Sequence, residues 1–266
     1  MEKGDIVHVE YEMWIKGPKN ELVETNIEKT AKDNNKWNER AKYIPQPFLV
    51  GHGRYMKGVE ESLMKAEIGT EYSTEIDPES GAGPRDLSKV KIFSMRDILR
   101  LPQFQRKDAK YPEIGSEVNI DGRIGIITGI YAGRAKIDFN DKLAGKTIIY
   151  KYKITRKDTD VKDKIRSVIE MDYGNSTEFT INVENDGRVE IMLPDICKYD
   201  PSWVKSKYLL VADMRDVLNL KVIRFVEEYR KKEEPKKEEC SGKDAVNNDD
   251  TSNAAEKKNT DTTDLG

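Results

Sequence analysis

The chain has 266 residues, room for about two domains of ordinary size with chain left over. Charged residues make up 36% of it, but 46 basic side chains against 49 acidic ones leave a net charge of -3, too small to draw the whole surface to nucleic acid or an anionic membrane. The two cysteines, Cys197 and Cys240, stand apart from each other and from any histidine pair, which argues against a disulfide framework and a structural zinc site.

Ile6 to Ile15 alternates loosely between apolar and polar residues and is rich in β-formers, which predicts a strand. Lys16-Gly17-Pro18-Lys19-Asn20 supplies a turn, and Glu21 to Thr25 the returning strand. Residues 26 to 45 are polar without a clean period and read as a surface excursion with a helical turn at Glu28 to Lys32. Phe48-Leu49-Val50 predicts a short buried strand. Met56, Val59, Leu63 and Met64 then share one face of a short helix that Gly69 helps to end. Tyr72 to Ile76 alternates as a strand, and Pro78, Gly81, Gly83 and Pro84 break it.

From Arg85 to Asn140 the pattern changes. A brief helix at Asp97 to Leu101 and short strands at Val118 to Ile120, Ile124 to Tyr131 and Arg134 to Phe139 read as a compact β module inserted into the first domain, which Thr147 to Ile154 closes. A third unit follows: a helix from about Asp158 to Ile169, a hairpin of Glu178 to Val183 and Arg188 to Leu193 around Asp186-Gly187, a helix entered at Asp200-Pro201 and running to Arg215, and a strand at Val222 to Val226. Beyond Lys232 the chain has no aromatic residue and is mostly polar, too poor in apolar surface to offset the entropy of ordering. The expected domains are therefore 1–84 with 141–155, 85–140, 156–232, and a disordered tail at 233–266. No apolar run is long enough to cross a bilayer and no signal-type apolar core opens the chain, so a cytoplasmic location without membrane partners is expected.

Leu143-Ala144-Gly145-Lys146-Thr147, taken with Phe48-Leu49-Val50-Gly51-His52-Gly53 and Gly58-Val59-Glu60-Glu61-Ser62-Leu63, resembles the two ends of one domain. That domain is the FKBP-type peptidyl-prolyl cis-trans isomerase of the SlyD-like and archaeal long-type branch, in which an insert-in-flap module interrupts the first. Ser202-Trp203-Val204-Lys205-Ser206-Lys207 resembles the extra domain of the long forms. The resemblance implies an α+β fold: an FKBP-like antiparallel sheet with a short helix, a small β-rich insert and a C-terminal α-β-β-α-β domain. It implies isomerisation of X–Pro bonds and capture of unfolded or proline-containing polypeptides, with no cofactor.

By position, the resemblance places Tyr11, Val23, Glu24, Phe48, Tyr55, Met56, Val59, Ala82, Leu143 and Tyr150 around a shallow apolar pocket, with the Met56 backbone N–H holding the substrate carbonyl. Two positions depart from the pattern. Glu24 stands for the usual aspartate, and Ala82, within Ser80-Gly81-Ala82-Gly83, replaces a tyrosine. In the insert, Leu99, Phe104, Ile126 and Tyr131 are the candidate client contacts, Leu99 and Phe104 being expected to be exposed in an irregular stretch. The two histidines, His8 and His52, lack neighbouring ligand residues, so no metal is expected. The C-terminal domain is a candidate homodimer contact.

The residue types suit this chemistry. Turning an X–Pro bond crosses a barrier of roughly 18–20 kcal/mol without making or breaking a covalent bond, so no nucleophile is needed. An apolar cavity that strips water from the amide favours the twisted geometry over the planar one. Other readings stay open: Val23, Phe48 and Val59 also suit the plain core of a small β domain, and the fold could serve a binding-only chaperone. Gly115 to Gly129, with Arg123 and Arg134, has the look of a small SH3-like RNA-binding barrel.

Overall fold

The structure, a computed structural model, describes residues 1–229 apart from 107 and 185; the tail expected at 233–266 lies outside the described residues. Within it, Met1–Glu228 pack as one unit. β1 (Ile6–Ile15) is its longest-range element, returning through β2 (Glu21–Thr25) and α1 (Glu28–Asp33) to β3 (Gln46–Leu49). β2 and β3 share one edge of β1, the first along Glu12 to Ile15 and the second along Ile6 to Val9. The intervening excursion is tied down by Asn26, whose buried amide donates to the Val9 and Ile44 carbonyls and whose Oδ1 accepts the Tyr11 N–H at 2.7 Å. α2 (Lys57–Lys65) then crosses the sheet, and β4 (Glu71–Ile76) follows.

The insert is a four-stranded antiparallel sheet of its own. β5 (Val90–Ser94) leads into α3 (Met95–Leu99), and β6 (Glu117–Ile120), β7 (Arg123–Tyr131) and β8 (Arg134–Asp138) complete the order β5-β8-β7-β6. Met95, Ile98, Val118, Ile127, Ala135 and Ile137 form its core. Gly125 permits that packing, since a Cβ there would stand 2.6 Å from Ile137 Cγ2. Where the chain leaves and re-enters the first sheet, Asn140 exchanges hydrogen bonds with the Asp86 backbone, and Arg85 pairs with Asp138 at 2.5 Å.

β9 (Ile148–Lys157) closes the first sheet between β1 and β4, giving the order β2-β1-β9-β4 with β3 on β1. Its alternation is nearly strict: Ile148, Tyr150, Tyr152 and Ile154 face the core. The chain continues as α4 (Val161–Tyr173), β10 (Thr180–Val183), β11 (Arg188–Met192), α5 (Pro201–Asp216) and β12 (Val222–Val226). β12 lies parallel to β11, and the helices cover the sheet around Trp203.

α4 starts three residues later than the sequence pattern suggested, because Asp160 caps it while Asp158 is turned into a buried cluster with His8 and Ser167. Among the described residues no helix is long and apolar enough to cross a membrane.

Candidate active site

A run of aromatic rings lies in contact across the first sheet. Tyr11 and Tyr150 lie on the neighbouring strands β1 and β9 and stack at 5.6 Å. Phe48 of β3 meets Tyr11 edge-on at 5.7 Å, and Tyr55, in the loop before α2, stacks on Phe48 at 4.2 Å. At the other end Tyr152 meets Tyr150 at 5.6 Å and is anchored to α2 through Ser62 at 2.7 Å.

Tyr11, Phe48, Tyr55 and Tyr150, with Met13, Met56 and Val59, wall one end of a cavity of about 1600 Å³. Its far end runs along α4, past Arg166 and Glu170.

The polar atoms of this wall are few and fixed. Tyr11 donates its hydroxyl to Glu24 Oε1 at 2.6 Å, so the longer glutamate still reaches the phenol. Burial, then the Glu24 hydrogen bond and charge, push the Tyr11 pKa far above that of free tyrosine; burial does the same for Tyr150 and lifts Tyr55 to about 12. The cavity is therefore lined by neutral phenols. Met56 is the N-cap of α2, its carbonyl accepting from Val59 and Glu60, while among the described residues its own N–H donates to nothing.

The expected site residues do not all converge here. Tyr11, Glu24, Phe48, Tyr55, Met56, Val59 and Tyr150 line the cavity, and Val23, Ala82 and Leu143 do not. Val23 is the extra residue of a bulge where the register passes from Met13↔Glu24 to Trp14↔Leu22, so it leaves the pocket face. Ala82 precedes Gly83, whose carbonyl accepts the Gly145 N–H at 2.8 Å and pins the segment, and Leu143 packs against the core of the first sheet. Sequence reasoning missed Arg54, which joins the cavity wall while pairing with Asp172 and Asp213.

In the insert, Leu99 and Phe104 are half-buried rather than exposed, because Leu99 ends α3 and Phe104 packs on the insert core. Leu87, Tyr111 and Ile114 are exposed outside the strands, and a further group of exposed apolar residues stands on the outer sheet face. Ile92 pairs with Lys136, and Lys136 with Gly129, over which the Tyr131 ring lies. Ile124 and the half-buried Ile126 continue that face. Among the described residues no three His, Cys, Asp or Glu side chains are grouped to hold a metal ion.

Comparison with known proteins agrees with this geometry. The family model described as FKBP26, IF domain, matches residues 99–143, and that described as FKBP26 C-terminal matches residues 161–230. A short-type peptidyl-prolyl cis-trans isomerase of Methanocaldococcus jannaschii is 32% identical over 155 residues, 58% of this chain and 92% of the relative. An FKBP-type 16 kDa peptidyl-prolyl cis-trans isomerase of Escherichia coli K12 is 26% identical over 119 residues, 43% of this chain and 74% of the relative. The aromatic cavity, the insert and these matches together place the chain among the FKBP-type peptidyl-prolyl cis-trans isomerases.

Proposed function

We propose that the aromatic end of the cavity is the isomerase site and that the outer face of the insert sheet captures unfolded segments and delivers them to it. The observation that carries the first part is the ring ladder ending beside an unengaged Met56 N–H. A prolyl ring entering between Tyr150, Phe48 and Val59 loses its water, and with it the solvation that favours the planar amide. The Met56 N–H holds the carbonyl on the N-terminal side of the bond, so the rest of the peptide can rotate. Tyr11 is held by Glu24 and keeps its ring as a fixed wall. No proton moves, which suits phenols that stay neutral.

Capture raises the local concentration of proline-bearing chain near the pocket, and so accelerates refolding more than peptide turnover. The exposure of Ile92, Ile124 and Tyr131 on one sheet face supports this part. A cytoplasmic location goes with it, because Cys197 is a buried free thiol; recovery of the protein from a secreted fraction would count against that.

Cis/trans exchange of an X–Pro tetrapeptide and proline-limited refolding of a model protein, each with wild type and Tyr150→Ala, test the site. Wild type should accelerate both, and Tyr150→Ala should lower kcat/KM by about tenfold or more, an energy of roughly 1.4 kcal/mol. Full activity in the variant would place the chemistry elsewhere.

A further inference from the structure

Two side chains of the isomerase sheet are buried in a foreign core. Ile6 opens β1 and Leu49 ends β3, yet both are fully buried in the C-terminal cluster with Ile165, Val168 and Ile169. The loop that follows Leu49 carries Tyr55 and Met56 to the cavity, and between them and Leu49 stands Arg54. Its guanidinium reaches two helices of the C-terminal unit: Nη1 meets Asp172 of α4 at 2.9 Å, and Nη2 meets Asp213 of α5.

These are not surface pairs. The Asp172 side chain is 3% exposed and that of Asp213 17%, and Asp172 keeps its second oxygen buried without a hydrogen-bond partner. Burial pushes the Asp172 carboxyl above its usual range against the pull of Arg54, so the ionised aspartate is held at a desolvation cost. Such a fork fixes direction as well as distance, which a single ammonium does not. On the C-terminal side of Arg54, the Tyr55 N–H is held by Glu60 Oε1 at 3.2 Å and Met56 caps α2. The segment is thus fastened on either side of the residues that face substrate.

We propose that Arg54 is a positioning residue for prolyl isomerisation: by bridging Asp172 and Asp213 it makes the C-terminal unit part of the active-site scaffold, setting Tyr55 and the Met56 N–H at the distance the substrate needs. This rests on the aromatic cavity being the isomerase site. Displacement by about 1 Å is enough to cost up to about a hundredfold in rate.

The test uses the full chain and a tetrapeptide substrate, with kcat and KM resolved and thermal unfolding recorded for each variant. Arg54→Ala should lower kcat/KM about tenfold, mainly through kcat, and Arg54→Lys should recover only part of the loss. Asp213→Asn should act in the same direction and add little to Arg54→Ala, because both break one unit. Ile191→Ala, which opens a cavity in the C-terminal core away from the loop, serves as the stability control: it should lower the Tm at least as far while keeping kcat within twofold of wild type.

Activity of Arg54→Ala within twofold of wild type would overturn the proposal, as would an equal activity loss in Ile191→Ala, which would make the effect one of stability alone. Tyr150→Ala run alongside separates the two ideas. If it is inactive while Arg54→Ala is normal, only the positioning role falls; if it is fully active, the cavity assignment falls and takes this proposal with it.

Discussion

Gly58 shows how one absent side chain sets the pocket floor. A Cβ there would lie 2.8 Å from Ile76 Cγ2 and 3.1 Å from Ile76 Cγ1, so α2 sits against β4 at a distance only glycine permits, and Val59 follows at the floor. Alanine would gain up to about 1 kcal/mol of helix propensity, but overpacking costs about 1–3 kcal/mol. Gly58→Ala is therefore expected to lower the urea midpoint at unchanged m-value, a loss of about 1 kcal/mol in stability; a raised midpoint would mean that Ile76 yields freely. Single residues were also where the sequence was least legible. Tyr11, Phe48 and Tyr150 could be placed because the family resemblance carries over position by position along regular strands, whereas Val23 falls at a bulge that shifts it and that no pattern announces. Arg54 carried no signal at all, since its partners stand 118 and 159 positions away along the chain.

At the scale of elements, periodicity was enough for the long strands and for the α-β-β-α-β order of the C-terminal unit. It was not enough for β5. Val90 to Ser94 is five residues long, pairs only with β8 far along the chain, and turns its isoleucine outward, so neither burial nor alternation marks it. The same outward turn creates the apolar face of the insert: Ile92 is 66% exposed, Ile124 64% and Tyr131 71%. Replacing all three by serine should abolish suppression of aggregation of an unfolded protein while leaving tetrapeptide kcat/KM within about twofold, since the aromatic cavity is untouched. Undiminished suppression, measured by light scattering, would remove the face as the capture surface.

Across the whole molecule, acid should loosen the joins between units. Burial works against ionisation of Asp158, but hydrogen bonds from His8 and Ser167 and the charge of Arg156 outweigh it and hold its carboxyl below 3.8. Asp5, half-buried and bonded to Lys157, and Asp138, half-buried and bonded to Asn140 and Arg85, are lowered in the same sense. A lowered folded-state pKa contributes stability above the unfolded value, and that stability is lost as pH falls through 3.8 and below. Asp172, raised by burial, runs the other way. Unfolding midpoints should thus hold from neutral pH down to about 5 and drop steeply below about 4. Asp158→Asn should be less stable at pH 7 by roughly 1–3 kcal/mol and show a shallower acid limb. An acid limb as steep as that of wild type would mean that Asp158 does not govern it.

The pairing of Val7 with Lys157, and the burial of Ile6 among residues of α4, set an order of assembly. As the chain leaves the ribosome, β1 emerges early and waits for β9 and for the helices beyond it. β6, β7 and β8 pair as successive hairpins and can close sooner, because nearby contacts lose less loop entropy. Amide protection should accordingly reach β7 before β1. The outer face of the insert, the capture surface proposed above, then matures before the aromatic cavity, so a chain still emerging carries a finished insert beside an unpaired first strand.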